Sequence, residues 1–167
     1  MISVDLGCGA HRRLGTTYGV DLRPGPDVTH VCAIGFEPLP FADASIHQFW
    51  ATDFLEHLPA QVWWRAGMAW QVHYPRIFCL REVYRCLVPG GGFCSLTPVG
   101  EPEWAQDPTH CAPPWREETW DYFCGQMGDV PGYYGIDFAF ELLERKRTGP
   151  QASYLWVVVR KPYTVHG

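Results

Sequence analysis

Two short apolar runs near the start of the chain limit its fold more than any other feature. Ile2-Ser3-Val4-Asp5-Leu6 breaks into Gly7-Cys8-Gly9, and Tyr18-Gly19-Val20 ends in Asp21-Leu22. Strands at the centre of a parallel sheet read as near-continuous hydrophobic runs of this kind, because both of their faces are covered. Gly7 and Gly9 allow a sharp turn and a close approach of backbone to a ligand, where a side chain would obstruct. Asp21, at the carboxyl end of the second run, is placed to accept hydrogen bonds from both hydroxyls of a ribose. The two runs imply a nucleoside lying across the tops of neighbouring strands.

Spacing then narrows the nucleoside. A dinucleotide fingerprint needs G-x-G-x-x-G and an acid about twenty residues further on. Arg12 stands at the third glycine position here, and Asp21 follows Gly9 by only twelve residues. That leaves no room for the full helix whose N-terminus would hold a pyrophosphate. The chain also lacks a G-x-x-x-x-G-K-[ST] phosphate loop. What remains is a ligand with a ribose and no phosphate to hold, and Asp5 adds a carboxylate suited to a cationic group. S-adenosylmethionine, with its ammonium and sulfonium charges, meets that description.

At these residues the sequence resembles the class I S-adenosylmethionine-dependent methyltransferases, and within them the small type 11-like group. The resemblance rests on Asp5-Leu6-Gly7-Cys8-Gly9 and Val20-Asp21-Leu22, then on Leu39-Pro40-Phe41-Ala42-Asp43-Ala44-Ser45-Ile46. Leu55-Glu56-His57-Leu58 and Arg81-Glu82-Val83-Tyr84-Arg85-Cys86-Leu87-Val88-Pro89-Gly90-Gly91 complete it, so that five ordered motifs cover most of residues 1–98. The resemblance implies an α/β fold: a Rossmann-like, doubly wound, mostly parallel seven-stranded sheet with a C-terminal antiparallel hairpin. It implies Asp5, Gly7, Cys8, Gly9, Asp21 and Leu22 around the cofactor, with Ala51 and Thr52 touching its methionine part through backbone. Relatives often end the third strand with an acid that receives the adenine amino group. Ala33 or Ile34 holds that place here, so adenine would be read by backbone.

Length and composition bound the rest. A chain of 167 residues, 47% hydrophobic and 19% charged, reads as one globular domain spanning 1–167. Its start enters a strand directly, with no basic n-region and apolar h-region, and no apolar run approaches a membrane span. Seven cysteines, none in a C-x-x-C pair, read as reduced thiols in a cytoplasmic protein. A net charge of −5 gives no field that favours nucleic acid.

Further along, His11, Arg12 and Arg13 read as a solvated loop, or as basic groups edging the cofactor's carboxylate. Residues 27–33 read as the third strand and 45–51 as the fourth. Asp53, just past the fourth, is either a helix cap or a catalytic group at the carboxyl end of a strand. His57 reads as a packed, hydrogen-bonded histidine. An inserted Trp-rich segment spans about 59–78; Trp63, Trp70 and Tyr74 fall at i, i+7 and i+11, one side of a helix. Such a stripe packs on the domain, lids a substrate or forms a homodimer contact. Residues 76–88 read as an amphipathic helix stopped by Pro89-Gly90-Gly91-Gly92, and 93–98 as the fifth strand.

The stretch from Glu101 to Trp115 would run over the cofactor edge. Asp107 and His110 are therefore candidate site residues, with Trp63 and Trp104 as candidate substrate contacts. No second ligand pair at a recognisable spacing accompanies His110-Cys111, so no metal is expected. Residues 137–147 and 153–161 read as the closing hairpin. The expected reaction is in-line methyl transfer to oxygen or nitrogen of a small molecule, with His110, then Asp53, as general base. Thr52-Asp53-Phe54-Leu55 stands where base-methylating relatives carry an Asn/Asp-Pro-Pro-Tyr/Phe motif, which argues against nucleic acid as acceptor. A silent cofactor- or partner-binding module of the same fold is the alternative.

Overall fold

The computed structural model describes residues 1–99 and 106–163. The apolar runs become strands as expected: β1 (Ser3–Leu6), β2 (Tyr18–Asp21) and β4 (Ile46–Thr52). β3 (His30–Val31) is only two residues long, shorter than the expected 27–33, because the connector around it is spent on turns. β7 (Leu87–Pro98), β8 (Glu141–Thr148) and β9 (Tyr154–Arg160) complete a seven-stranded sheet in the order β3-β2-β1-β4-β7-β9-β8. β1 to β4 and β7 run parallel, while β9 runs against both β7 and β8. The sheet thus reverses its winding between β1 and β4, and open α/β sheets bind ligands outside the carboxyl ends of such strands.

Side-chain alternation sorts the sheet into two faces. Val4, Leu6, Val20, Phe49, Ala51, Phe93, Val157 and Val159 are buried on one face. They share a core cluster with Cys79, Leu80 and Val83 of helix α1 (Pro75–Cys86) and with Trp115, Trp120 and Phe123. Full burial of each large apolar side chain contributes roughly 1.5–3 kcal/mol. The opposite face carries Asp5, Gln48, Trp50, Cys94 and Trp156. Arg13 lays its guanidinium 3.8 Å from the Trp50 ring while the residue stays exposed, so the loop is solvated as expected and its arginine covers part of the sheet.

Pro75 opens α1 where its missing N–H costs nothing. Lys161 reaches the other end, donating to the carbonyls of Tyr84 and Leu87 at 2.9 Å. The helix stops at Cys86, and Gly90, Gly91 and Gly92 lie inside β7. The glycine run is therefore strand, not the stop itself. Bare backbone suits it: a Cβ on Gly92 would come 2.6 Å from the Gln48 side chain.

The Trp-rich segment corrects the sequence reading. It is a β-hairpin, β5 (Val62–Ala66) with β6 (Ala69–His73), not a helix. Gly67, at φ +61, supplies the left-handed first position that two-residue hairpin turns favour. Trp and Val prefer strands, and three aromatics at helical spacing were too few to outweigh that turn. Trp63 and Trp64 are about half exposed and Trp70 about two-thirds. After Asp53, where one reading placed a helix cap, the chain forms only a 3-10 turn, Leu55–His57, and a second 3-10 turn spans Glu117–Tyr122. No described helix is long and apolar enough to cross a membrane.

Candidate functional site

Gly7 and Gly9 both adopt left-handed conformations, at φ +67 and +55, and turn the chain sharply after β1. The Gly7 N–H donates to the Val20 carbonyl at 2.8 Å, which binds the turn to β2. A Cβ on Gly7 would fall 2.2 Å from the Phe54 ring, so the position admits no side chain. Asp21 Oδ2 accepts from the Gly9 N–H at 2.9 Å and Oδ1 from the Arg23 N–H at 3.1 Å. Each carboxylate oxygen keeps a second acceptor site. The carboxylate is held in place with capacity left for a diol.

These residues border a cleft of about 810 Å³ with Leu22, Ala33, Ile34, Phe36 and Leu58 on its apolar side. Asp53, His57 and Thr109 also line it. The lining fits an adenosyl group: acid for ribose, apolar wall for adenine, and the Asp53 carboxylate for a cationic end. Among the expected cofactor residues, Gly7, Gly9, Asp21, Leu22 and Ala33 line this cleft. Asp5, Cys8, Ala51 and Thr52 do not. Asp5 is buried and its Oδ2 accepts from the Arg13 N–H at 2.7 Å. Burial raises the Asp5 carboxyl above its usual range, opposed by that hydrogen bond and the Arg13 charge. Burial also pushes the Cys8 thiol up to about 11, with the charges of Asp5 and Asp21 adding to it. Cys8 thus sits between the glycines as a buried, neutral thiol. Ala51 is buried in the core and Thr52 is an exposed strand end.

A second cleft, about 520 Å³, adjoins the first and shares Asp53 and His57 with it. Glu56, Asp107, His110 and Tyr154 also line it. Asp53 sits at φ +49, a strained conformation for a non-glycine residue and one that clusters at functional sites. It caps no helix, since Phe54 is the N-cap and makes no side-chain bond. Burial raises its carboxyl, against the pull of His57 and His110. His110 Nε2 lies 3.9 Å from Glu56 Oε1 and 3.7 Å from Asp107 Oδ2, and its ring meets His57 edge-on at 4.9 Å. Hydrogen bonds from Thr109 hold the Asp107 carboxyl below its usual range.

The loop carrying Asp107 and His110 is clamped to the 3-10 turn by several bonds. The Cys111 N–H donates to the Glu56 carbonyl at 2.8 Å, and the Trp115 indole to the Leu55 carbonyl at 2.9 Å. Arg76 donates to the carbonyls of Leu58, Cys111 and Pro113 at 2.7–2.8 Å. Burial lowers its pKa to about 10.

Sequence reasoning therefore brought together His110, Asp107 and Asp53, but treated Glu56 only as part of a motif. Glu56 is wholly buried, and burial pushes its carboxyl up to about 8. Its signal was an acid flanked by leucine and histidine in an apolar stretch. Trp63 is on the hairpin and lines neither cleft, though His73 of the same hairpin bonds the Gly35 carbonyl beside the first. Trp104 lies outside the described residues.

No protein-family model matches the sequence, and no curated protein matches it. Solved structures do. A Haloferax volcanii protein described as a methyltransferase, in complex with the Trm112 methyltransferase activator, matches over 96% of this chain and 82% of its own, with TM-score 0.60 and 16% identity. A methyltransferase of Archaeoglobus fulgidus matches over 95% of this chain and 85% of its own, at TM-score 0.59 and 16% identity. The Burkholderia thailandensis 1,6-didemethyltoxoflavin-N1-methyltransferase, solved with its substrate and S-adenosylhomocysteine, matches over 96% and 71%, at TM-score 0.54 and 17% identity. The chain has the fold of the class I S-adenosylmethionine-dependent methyltransferases.

Proposed function

We propose that this chain transfers a methyl group from S-adenosylmethionine to an oxygen or nitrogen of a small molecule. One observation carries the reading. The Asp21 carboxylate, oriented with spare acceptor sites, borders a nucleoside-sized cleft that opens at Asp53 onto a second cleft of acids and imidazoles. When bound, the cofactor supplies a methyl group already activated by its sulfonium. The chain's work is then alignment: acceptor atom, methyl carbon and sulfur held collinear at short range. The acceptor would attack that methyl as the sulfonium left as a neutral thioether, and the part of this chain's residues would be to take up the acceptor's proton. His110 is the first candidate base and Asp53 the second, since both line the acceptor cleft.

Binding without turnover is the second reading. It is favoured by Ala33, which lines the adenine end of the cleft where relatives carry an acid. Calorimetric titration with S-adenosylmethionine, S-adenosylhomocysteine and NAD, followed by transfer of labelled methyl to an acceptor panel, separates the two. Both adenosyl compounds bind and NAD does not; transfer then marks an enzyme and its lack a module. Asp21→Ala weakens cofactor binding by roughly 1.5–3 kcal/mol, the worth of charge-assisted hydrogen bonds. Unchanged affinity in that variant removes the ribose role.

A further inference from the structure

Methyl transfer leaves Glu56 unexplained. The side chain is wholly buried, lines the acceptor cleft, and neither carboxylate oxygen has a hydrogen bond among the described residues. An ionised carboxylate in such a place is costly unless a cation or a set of donors compensates it. Arg76, the buried cation of the clamp, donates from each of its three guanidinium nitrogens to a backbone carbonyl.

The neighbours of Glu56 are metal ligands by type. One ligand atom from each of Glu56, His57 and His110 lies within 4.8 Å of the others. Thr109 prepares one of the imidazoles. Its hydroxyl donates to Asp107 Oδ1 at 2.6 Å, so at His57 Nδ1, 3.0 Å away, it accepts. That bond places the His57 proton on Nδ1 and leaves Nε2 as the lone-pair nitrogen. A metal-binding histidine is commonly held through its second ring nitrogen in this way. Cys111 stays out of the group, since its thiol donates to the His57 carbonyl at 3.3 Å.

We propose that Glu56, His57 and His110 bind a divalent first-row transition cation, with Asp107 or Asp53 completing the shell on the cleft side. Two imidazoles with one or two carboxylates suit zinc, manganese or iron better than magnesium or calcium. Tetrahedral bonds of about 2.0–2.1 Å set ligand atoms roughly 3.3 Å apart. The 3.9 Å between Glu56 Oε1 and His110 Nε2 needs only a small inward rotation to reach that. The remaining coordination positions open on the acceptor cleft, where a metal would hold an acceptor oxygen and lower its pKa; with His110 ligated, that activation takes the place of proton removal by its imidazole. That role rests on the methyl-transfer reading; cation binding itself does not.

The test uses the whole chain, freed of metal by EDTA and dialysis and titrated calorimetrically with MnCl2 and with CoCl2. One ion binds per chain, and the cobalt spectrum shows nitrogen and oxygen ligation without an intense thiolate band. Glu56→Gln and His110→Gln each weaken binding on the order of a hundredfold, and Thr109→Val, which removes the hydroxyl that supports both His57 and Asp107, on the order of tenfold. Melting curves establish that each variant folds; if Glu56→Gln does not, His110→Gln carries the comparison. No binding by the wild type, a thiolate spectrum, or equal affinity in wild type and His110→Gln overturns the site. S-adenosylmethionine is titrated in parallel. Cation binding without it keeps the site and removes methyl transfer, and the opposite result does the reverse.

Discussion

The cleft at Asp21 and the cleft at Glu56 meet at Asp53 and His57 and are built in opposite ways. The first is made of backbone and apolar wall, and its one central acid is tied by two N–H groups from its own neighbourhood. Its residues come mostly from 7 to 59. The second gathers acids and imidazoles from segments fifty residues apart, and its most buried acid has no hydrogen bond among the described residues. A satisfied site keeps its shape by itself. An unsatisfied one is held by something outside it, here the Arg76 and Trp115 clamp, and has electrostatic energy left to spend on a ligand.

That contrast can be broken from either side. Gly7→Ala strikes the first cleft hardest: a left-handed alanine and its contact with the Phe54 ring together cost roughly 2–5 kcal/mol. Thermal melts and cofactor titration read both losses, and a variant as stable as wild type sinks the packing argument. Arg76→Met removes the clamp at a cost of about 2–4 kcal/mol through stranded carbonyls. Cation affinity in that variant falls more than cofactor affinity; equal losses mean the clamp serves both clefts alike. Glu56→Met sharpens the contrast with the opposite sign. Without metal it raises stability by about 1–3 kcal/mol, because a costly buried acid becomes apolar, and a lowered melting temperature shows that Glu56 is satisfied. Trp63→Ser, on the exposed hairpin and outside both clefts, moves stability by less than about 0.5 kcal/mol. A larger drop marks the hairpin as packed against something.

The first cleft was legible because its logic is local. Strand, glycine turn, strand and acid occur within twenty-two residues, and each step has a steric or hydrogen-bonding reason that a sequence displays. Asp5 shows the limit even there: its position was readable, but its alternation to the far face and its bond to Arg13 were not. The second cleft depends on a long-range approach. His110 and Asp107 were legible as loop groups near an active edge, whereas Glu56 needed the fold to reveal that its buried carboxylate has no hydrogen-bond partner among the described residues. The hairpin was misread for the reverse reason. Gly67-Met68 is a weak turn signal beside abundant aromatics, and the register that pairs Trp63 with Val72 exists only once the turn closes.

The two margins of the large sheet bear on self-association. β3 offers only two residues for a further strand to pair with. At the other margin β8 is lined with Glu141, Glu144, Arg145, Lys146 and Arg147 and is interrupted by a register shift between Leu142 and Glu144. Short, charged and bulged borders resist edge-to-edge pairing. The margins of the sheet thereby resist growth without closing it into a barrel, which disfavours the stacking of copies of this chain into a continuous ribbon.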